Sequence, residues 1–347
     1  MVESTLEPAG LVGKPLPMDS PAPKVEALGE KDGGRKPVVC VTGAGGYVGS
    51  WLVKILLSEG YIVHGTVRDP DDKKNEHLKL QGNSCGKLQL FKADLLNYPE
   101  MSAAITGCEG VFHVASPLPA HAVHDPQKEV IDPAVTGTLN VVKASKENGI
   151  RRVVIVSSVA AVVVSPSLPK DSYDESCWSD LDHCKMMKKW YYVSKTMAES
   201  LAWEYAEENG LDLVTICPSL VLGPMLQPTV NVSSLVLIKL LKGEKDAVIY
   251  SGMVDVRDLC EALVLLFEKA EASGRYICSA HHLRASVLVE KLKGMYPKYN
   301  YPDQYIGFGH EVPLSSKKLQ NLGWRFRPLE ETLADSVQSL LKHGIVE

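Results

Sequence analysis

The sequence predicts a doubly wound α/β fold, a parallel sheet with helices on both faces, followed by a smaller C-terminal substrate lobe. Three observations carry this expectation. A β-branched run, Val38, Val39 and Val41, enters a turn holding Gly43, Gly46 and Gly49, and an apolar helix follows from Trp51. Short apolar strands then alternate with helical patterns as far as Pro218. Beyond Pro218 the alternation loosens. Apolar strands separated by helices belong to sheets covered on both faces.

Taken in order, Tyr61–Val67, Leu88–Lys92, Gly110–Val114, Arg152–Ser157 and Leu211–Cys217 read as strands two to six. Val130, Ile131, Val135, Leu139 and Val142 form a helical stripe, which predicts a helix over Lys128–Glu147. A second long helix is predicted over Lys188–Asn209. After Pro218, helices are expected at Val232–Leu241, Val256–Glu271, Arg284–Tyr296 and Leu329–His343, with short strands near Val248–Tyr250 and Arg275–Ile277. The expected organisation is therefore three parts: a disordered extension over residues 1–35, rich in proline; a Rossmann domain over 36–217 that includes the second long helix; and a smaller substrate-binding lobe over 218–347 that closes on the crevice.

The 347 residues, 45% hydrophobic and 23% charged, are ordinary for a globular protein. A net charge of −5, spread along the chain, gives no footprint for nucleic acid. No apolar run reaches the length of a membrane span, and Glu3, Glu7 and Asp19 argue against a transit peptide. Of the eight cysteines, none forms a C-x-x-C pair or has histidine at zinc-ligand spacing, so no metal site is expected. Reduced structural thiols and a cytoplasmic location follow, with Cys177 and Cys184 left open as a redox-labile pair.

Strand, glycine turn and helix make a dinucleotide cradle. Gly43 lets the chain turn, Gly46 lets backbone approach a diphosphate, and Gly49 lets helix and strand pack closely. The diphosphate would rest on the positive end of the helix. At the end of the second strand, where an NAD enzyme usually carries an acid for the ribose, the chain reads Thr66-Val67-Arg68-Asp69, followed by Lys73 and Lys74. A guanidinium can fork onto a 2′-phosphate and a lysine adds a second charge, so NADP(H) is the expected cofactor; Asp69 is the alternative, as a ribose acid. Asp94-Leu95 lies where an adenine amino group would sit, and Val114-Ala115-Ser116-Pro117 lies beside the diphosphate.

Tyr191 and Lys195 are four apart on a helix and share a face. A lysine there is expected to lower the phenol's pKa and to hold the nicotinamide ribose, while Tyr191 protonates a carbonyl oxygen as hydride arrives. Tyr192 has no lysine at that spacing. Ser157-Ser158 ends the fifth strand 33 residues before Tyr191, and one of them, with Ser158 ahead, would hydrogen-bond the substrate oxygen. Lys185, Lys188 and Lys189 read either as a solvated face or as contacts for a CoA tail. His113, His121, His124 and His183 read as core or surface residues, because Tyr191 already supplies the proton.

Four pieces carry a family resemblance: Val41–Gly49, Gly65–Asp72, Asp174–Leu181 and Leu220–Pro224. From Val38 to Lys342 the chain resembles the plant cinnamoyl-CoA reductase and dihydroflavonol reductase group of extended short-chain dehydrogenases/reductases. The resemblance implies an NADPH-dependent reductase of phenylpropanoid metabolism and lignin biosynthesis, acting on an aromatic carbonyl or thioester. It implies Ser158, Tyr191 and Lys195 as the catalytic set. Gly43, Gly45, Gly46, Tyr47, Val48 and Gly49 would form the cofactor turn, with Arg68 and Lys74 on the 2′-phosphate. Pro218, Ser219, Leu220, Val221 and Ser233 would line the nicotinamide side. Cinnamoyl-CoA reductases typically read Asn-Trp-Tyr-Cys-Tyr-Gly-Lys around the tyrosine, whereas this chain reads Lys189-Trp190-Tyr191-Tyr192-Val193-Ser194-Lys195. A flavonoid ketone or a free aromatic aldehyde is therefore the alternative substrate. An NADPH-binding regulator is the alternative outside enzymology.

Overall fold

The computed structural model describes residues 36–347, apart from 84–85, 117–122, 168, 170 and 309–311 and the side chains of 82, 83 and 308. The expected extension over 1–35, and Cys85, Pro117 and His121, lie outside the described residues.

The first half runs β1 (Val38–Thr42), α1 (Tyr47–Ser58), β2 (Ile62–Val67), α2 (Glu76–Asn83), β3 (Leu88–Lys92), α3 (Tyr98–Ile105), β4 (Gly110–His113), α4 (Asp132–Glu147) and β5 (Arg152–Val156). It continues through α5 (Leu181–Met186), α6 (Trp190–Asn209), β6 (Leu213–Pro218), β7 (Leu220–Leu222) and α7 (Val232–Leu241). The chain then forms β8 (Val248–Tyr250), β9 (Gly252–Asp255), α8 (Val256–Glu268), β10 (Gly274–Cys278), β11 (His281–His282) and α9 (Ala285–Met295). It closes with β12 (Ile306–Phe308), α10 (Lys317–Asn321) and α11 (Leu329–Lys342).

Seven strands form one parallel sheet in the order β10-β6-β5-β4-β1-β2-β3. The order reverses between β1 and β4, which opens a crevice at the carboxyl ends of the strands. Helices α1 and α8 pack on one face and α3, α4 and α6 on the other, each over its own apolar core. The central strands β1, β4 and β6 are buried throughout or nearly so, as strands covered on both faces must be.

Several differences from the sequence expectation have local causes. Helix α1 begins one turn before Trp51, because Gly46 in extended conformation serves as its N-cap. The first turn of the helix expected from Lys128 is wound as a π turn, Gln127–Ile131, before α4. Helix α6 starts at Trp190 rather than Lys188, since Lys188 takes a left-handed φ of 52° that ends the preceding turn. The strand expected near Arg275–Ile277 is β10, and it extends the central sheet beside β6 instead of belonging to the C-terminal segment alone. The remaining elements after Pro218 form the small sheets β11-β9-β7 and β12-β8 together with α7, α9, α10 and α11. The short α2, α3 and α5 and the strands β7, β9, β11 and β12 had no clear periodicity to announce them.

Candidate active site

The glycine turn between β1 and α1 is fixed by sterics. Gly43 has φ 67°, and a Cβ there would lie 2.9 Å from the Ala115 Cβ. A Cβ on Gly49 would lie 2.2 Å from the Gly43 carbonyl oxygen, so the helix can approach the strand only without a side chain. Gly45 abuts Asn75, whose Oδ1 would lie 2.4 Å from an added Cβ. The first turn of α1 carries no acidic residue, and its N-cap offers no side-chain hydrogen bond. No side chain of that turn offsets the positive end of the helix.

Across the switch point, the Thr42 hydroxyl accepts from the N–H groups of Val114 and Ala115, both at 3.1 Å, and lies 2.9 Å from His113 Nδ1. With both lone pairs engaged, the hydroxyl donates to Nδ1, which leaves His113 Nε2–H to donate to Thr138 Oγ1 at 3.1 Å. Burial, with help from the Lys195 charge, lowers the His113 pKa to about 3. His113 is therefore a neutral core residue that fixes the β4 exit.

The chain leaves β5 at two serines with different partners. Ser157 Oγ is buried and donates to Glu199 Oε2 at 2.6 Å. Ser158 Oγ accepts from the Ala160 N–H at 3.1 Å and stands close enough to the Tyr191 phenol to work against its rise in pKa. One turn further along α6, Lys195 is buried and its Nζ donates to the Val156 carbonyl at 3.2 Å. Burial lowers the Lys195 pKa to about 8, against the opposing pull of Glu199. The Tyr191 phenol is raised, chiefly by burial, although Ser158 works to lower it and Tyr250 adds to the rise. This corrects the expectation of a phenol lowered by Lys195: burial sets the direction of the shift, and Ser158 is the group that works against it. A phenol held protonated suits a group that must give up a proton.

Beside this set a cavity of about 50 Å³ is lined by Tyr173, Tyr192, Tyr250, Val159, Leu314 and His282, together with Ser219 and Leu220. Tyr191 and Tyr192 meet edge to face, with centroids 6.2 Å apart.

The glycine turn, the serine–tyrosine–lysine cluster and the aromatic cavity together make up the candidate site. Residues 39–278 match the model of the NAD dependent epimerase/dehydratase family. The chain belongs to this family. Within it, the chain is 46% identical to "Cinnamoyl-CoA reductase 1" of Petunia hybrida over 88% of this chain and 93% of that protein. It is 41% identical to "Tetraketide alpha-pyrone reductase 1" of Arabidopsis thaliana over 89% of this chain and 97% of that one. Among solved structures, vestitone reductase from alfalfa superposes with a TM-score of 0.78 at 33% identity, covering 90% of this chain and 100% of that one. The yeast methylglyoxal/isovaleraldehyde reductase Gre2, complexed with NADPH, superposes with a TM-score of 0.76 at 27% identity, covering 89% and 100%. The chain is an oxidoreductase of the short-chain dehydrogenase/reductase type that takes a small-molecule substrate.

The other residues singled out in the sequence fall into three groups in this family fold. At the β2 exit, Arg68 is exposed and Lys74 Nζ lies 2.7 Å from Asp72 Oδ2. The Asp72 carboxyl is held below its usual range by its hydrogen bonds with Lys74 first and by the Arg68 charge last. Asp69 Oδ1 accepts from the Asp71 N–H at 2.9 Å and so shapes the turn. Asn75, which the sequence reading passed over, is buried and donates to the Asp69 carbonyl at 2.7 Å, tying this loop to the glycine turn. Its signal was only a polar residue after two lysines.

Near the third strand, Asp94 Oδ1 accepts from the Leu96 N–H and the Leu95 carbonyl accepts from Asn140 Nδ2. Ala115 and Ser116 line the pocket beside Lys195. The Tyr47 hydroxyl donates to the Gly223 carbonyl at 2.9 Å, so its side chain braces the turn after β7, while Val48 packs against the core. Pro218 ends β6, and Ser219, Leu220 and Val221 lead from it into β7. Ser233, in the first turn of α7, accepts from Asn231 Nδ2 at 2.7 Å and lines neither described pocket. Of the three lysines before Tyr191, Lys185 lies 3.7 Å from Asp182 and Lys189 lies 5.0 Å over the Tyr192 ring. Cys177 and Cys184 are both free thiols, and burial raises the Cys184 pKa to about 11. Among the described residues no helix is long and apolar enough to cross a membrane.

Proposed function

We propose that the chain is an NADPH-dependent reductase of a phenylpropanoid-type carbonyl or thioester, with hydroxycinnamoyl-CoA reduction to the aldehyde as the leading reaction. The observation that carries this reading is Ser158 beside the Tyr191 phenol, one helical turn from buried Lys195 and next to an aromatic-walled cavity. The similarity to cinnamoyl-CoA reductases supplies the substrate class.

Gly43, Gly45, Gly46 and Gly49 would cradle the diphosphate of NADP(H), with Tyr47 and Val48 offering backbone N–H groups. Arg68 and Lys74 would take the 2′-phosphate, Lys74 exchanging Asp72 for it. Asp94 and Leu95 would flank the adenine, Val114, Ala115 and Ser116 the diphosphate, and Pro218, Ser219, Leu220, Val221 and Ser233 the nicotinamide side. The bound nicotinamide supplies a hydride to the carbonyl carbon. Ser158 orients the carbonyl oxygen, Tyr191 gives it a proton, and Lys195 holds the ribose and steadies the phenolate left behind. With a thioester, collapse of the resulting alcohol breaks the C–S bond, and the thiol leaves as the aldehyde forms. The elements after Pro218 that lie outside the central sheet would close on this substrate, and the free thiols fit a cytoplasmic location.

A second reading, reduction of a flavonoid ketone or free aromatic aldehyde, is favoured by the engagement of Lys185 with Asp182 and of Lys189 with Tyr192. Both lysines would need to be released to meet CoA phosphates. NADPH consumption by the purified protein, measured with feruloyl-, coumaroyl- and caffeoyl-CoA, dihydroflavonols and free aromatic aldehydes, separates the readings. Turnover of the CoA esters is the expected result. Good turnover of aldehydes or ketones alone would replace the first reading by the second.

A further inference from the structure

A buried ion pair lies under the proposed catalytic set, outside the glycine turn and the cavity. Glu199 follows Lys195 by one helical turn on the same face of α6 and is 1% exposed. Its carboxylate accepts from Ser157 Oγ at 2.6 Å, Thr215 Oγ1 at 2.7 Å and Arg275 Nε at 2.8 Å. Burial works to raise its pKa, but the Arg275 charge and these hydrogen bonds overcome that and hold it below the usual carboxylate range.

The rest of the Arg275 guanidinium reaches two further segments. Nη1 donates to the carbonyls of Glu175 at 3.0 Å and Cys177 at 2.7 Å, and Nη2 to that of Ala161 at 3.4 Å. The guanidinium carbon stands 3.5 Å over the ring of Trp178. Ala161 ends the turn that starts at Ser158 and carries Val159 into the cavity wall. Glu175–Trp178 follows Tyr173, another wall residue, and the Glu175 carboxylate accepts from the Ile277 N–H at 3.0 Å. One side chain thus ties β10 to both strips of wall and to the catalytic helix.

We infer that Glu199 and Arg275 form a positioning pair, which sets the charge and place of Lys195 through the helix and pins the aromatic wall through the guanidinium. The inference rests on the proposed role of Lys195. A buried ion pair is commonly replaceable by apolar residues without loss of stability, so stability alone is a weak reason for one here. Three strands contribute to the pair's surroundings: Lys195 faces Glu199 on its own helix, His113 from β4 and Cys217 from β6, while Glu199 faces Cys217 and Arg275 from β10. Of these, His113 and Cys217 are neutral near neutral pH, which leaves Glu199 as the anion that Lys195 feels.

The test reads Lys195 directly, by NMR titration of the full chain carrying isotope-labelled lysine, with the signal assigned by its loss in Lys195→Met. Wild type should titrate near 8. In Glu199→Gln the midpoint should fall by about one pH unit, and Glu199→Asp should return it toward wild type. If the single variant does not fold, Glu199→Gln combined with Arg275→Gln removes both charges at once, and a smaller shift in the same downward direction is expected, because Glu199, which shares α6 with Lys195, acts on it more strongly than Arg275 does. An unchanged Lys195 midpoint in whichever variant folds overturns the inference. Arg275→Lys keeps the charge but loses the planar fork, so the KM for the aromatic substrate should rise severalfold, and an unchanged KM removes the wall from the inference. Whether Lys195→Met abolishes turnover is a separate result, and it alone decides the proposed role of Lys195.

Discussion

The glycine turn and the first turns of α6 face one crevice, but they are built from different materials. The turn is a backbone device, in which Gly43 and Gly49 are required because any Cβ would strike Ala115 or the Gly43 carbonyl. The α6 site is a side-chain device, in which neighbouring residues of one type take opposite roles. Ser157 turns inward to Glu199 and Ser158 meets Tyr191; Tyr191 joins the cluster and Tyr192 joins the cavity wall. A backbone device is fixed locally and shows in the sequence, whereas a side-chain device depends on what tertiary packing brings near it.

The largest effects should come from the side-chain device. Lys195→Met should lower kcat by on the order of a hundredfold or more and weaken NADPH binding, as read by steady-state turnover and cofactor titration. Full activity in that variant would mean that the α6 cluster is structural. Gly49→Ala tests the other half. Its Cβ has no room, so it should destabilise the fold by about 1–3 kcal/mol in urea unfolding. Gly294→Ala, on α9 with open space around it, should instead be neutral or stabilising by up to about 1 kcal/mol. Equal effects at the two glycines would remove the steric argument.

Cofactor choice sits between the two devices, on exposed side chains carried by a backbone turn. Arg68→Asp should lower the preference for NADPH over NADH about tenfold, less than a buried contact would give, because solvent screens an exposed charge. Ratios of dissociation constants measure it. The smallest effect is the pH dependence. Lys195, whose pKa burial lowers to about 8, is charged below that pH and loses its charge as pH rises through it, so turnover should fall by about half near pH 8. A plateau well above that pH would show that the lysine's charge is not needed.

How much of this was legible in the sequence follows the same division. The strand, glycine turn and helix of the cradle lie within about twenty residues, so periodicity and glycine spacing announce them. The seven-strand sheet was foreseen up to β6; β10 was assigned to the C-terminal segment because a short strand gives no sign of its partner. Tyr191 and Lys195 share a helix face by spacing alone, but the net rise of the phenol pKa comes from burial, which spacing does not report. Glu199 and Arg275 are 76 residues apart, and Asn75 looked like any polar loop residue until it met Gly45 and the Asp69 carbonyl. The walls of the cavity come from segments as distant as Val159 and Leu314, joined only by the fold.

In the proposed reaction Tyr191, and not its neighbour, gives the proton. The most direct test is the rate of NADPH oxidation at saturating cofactor and substrate in Tyr191→Phe and Tyr192→Phe beside wild type. Tyr191→Phe should lose on the order of 10²–10⁴ in kcat with NADPH affinity nearly unchanged, while Tyr192→Phe should keep its kcat and show any effect in the KM of the aromatic substrate. A Tyr191→Phe protein that turns over at the wild-type rate would contradict the account.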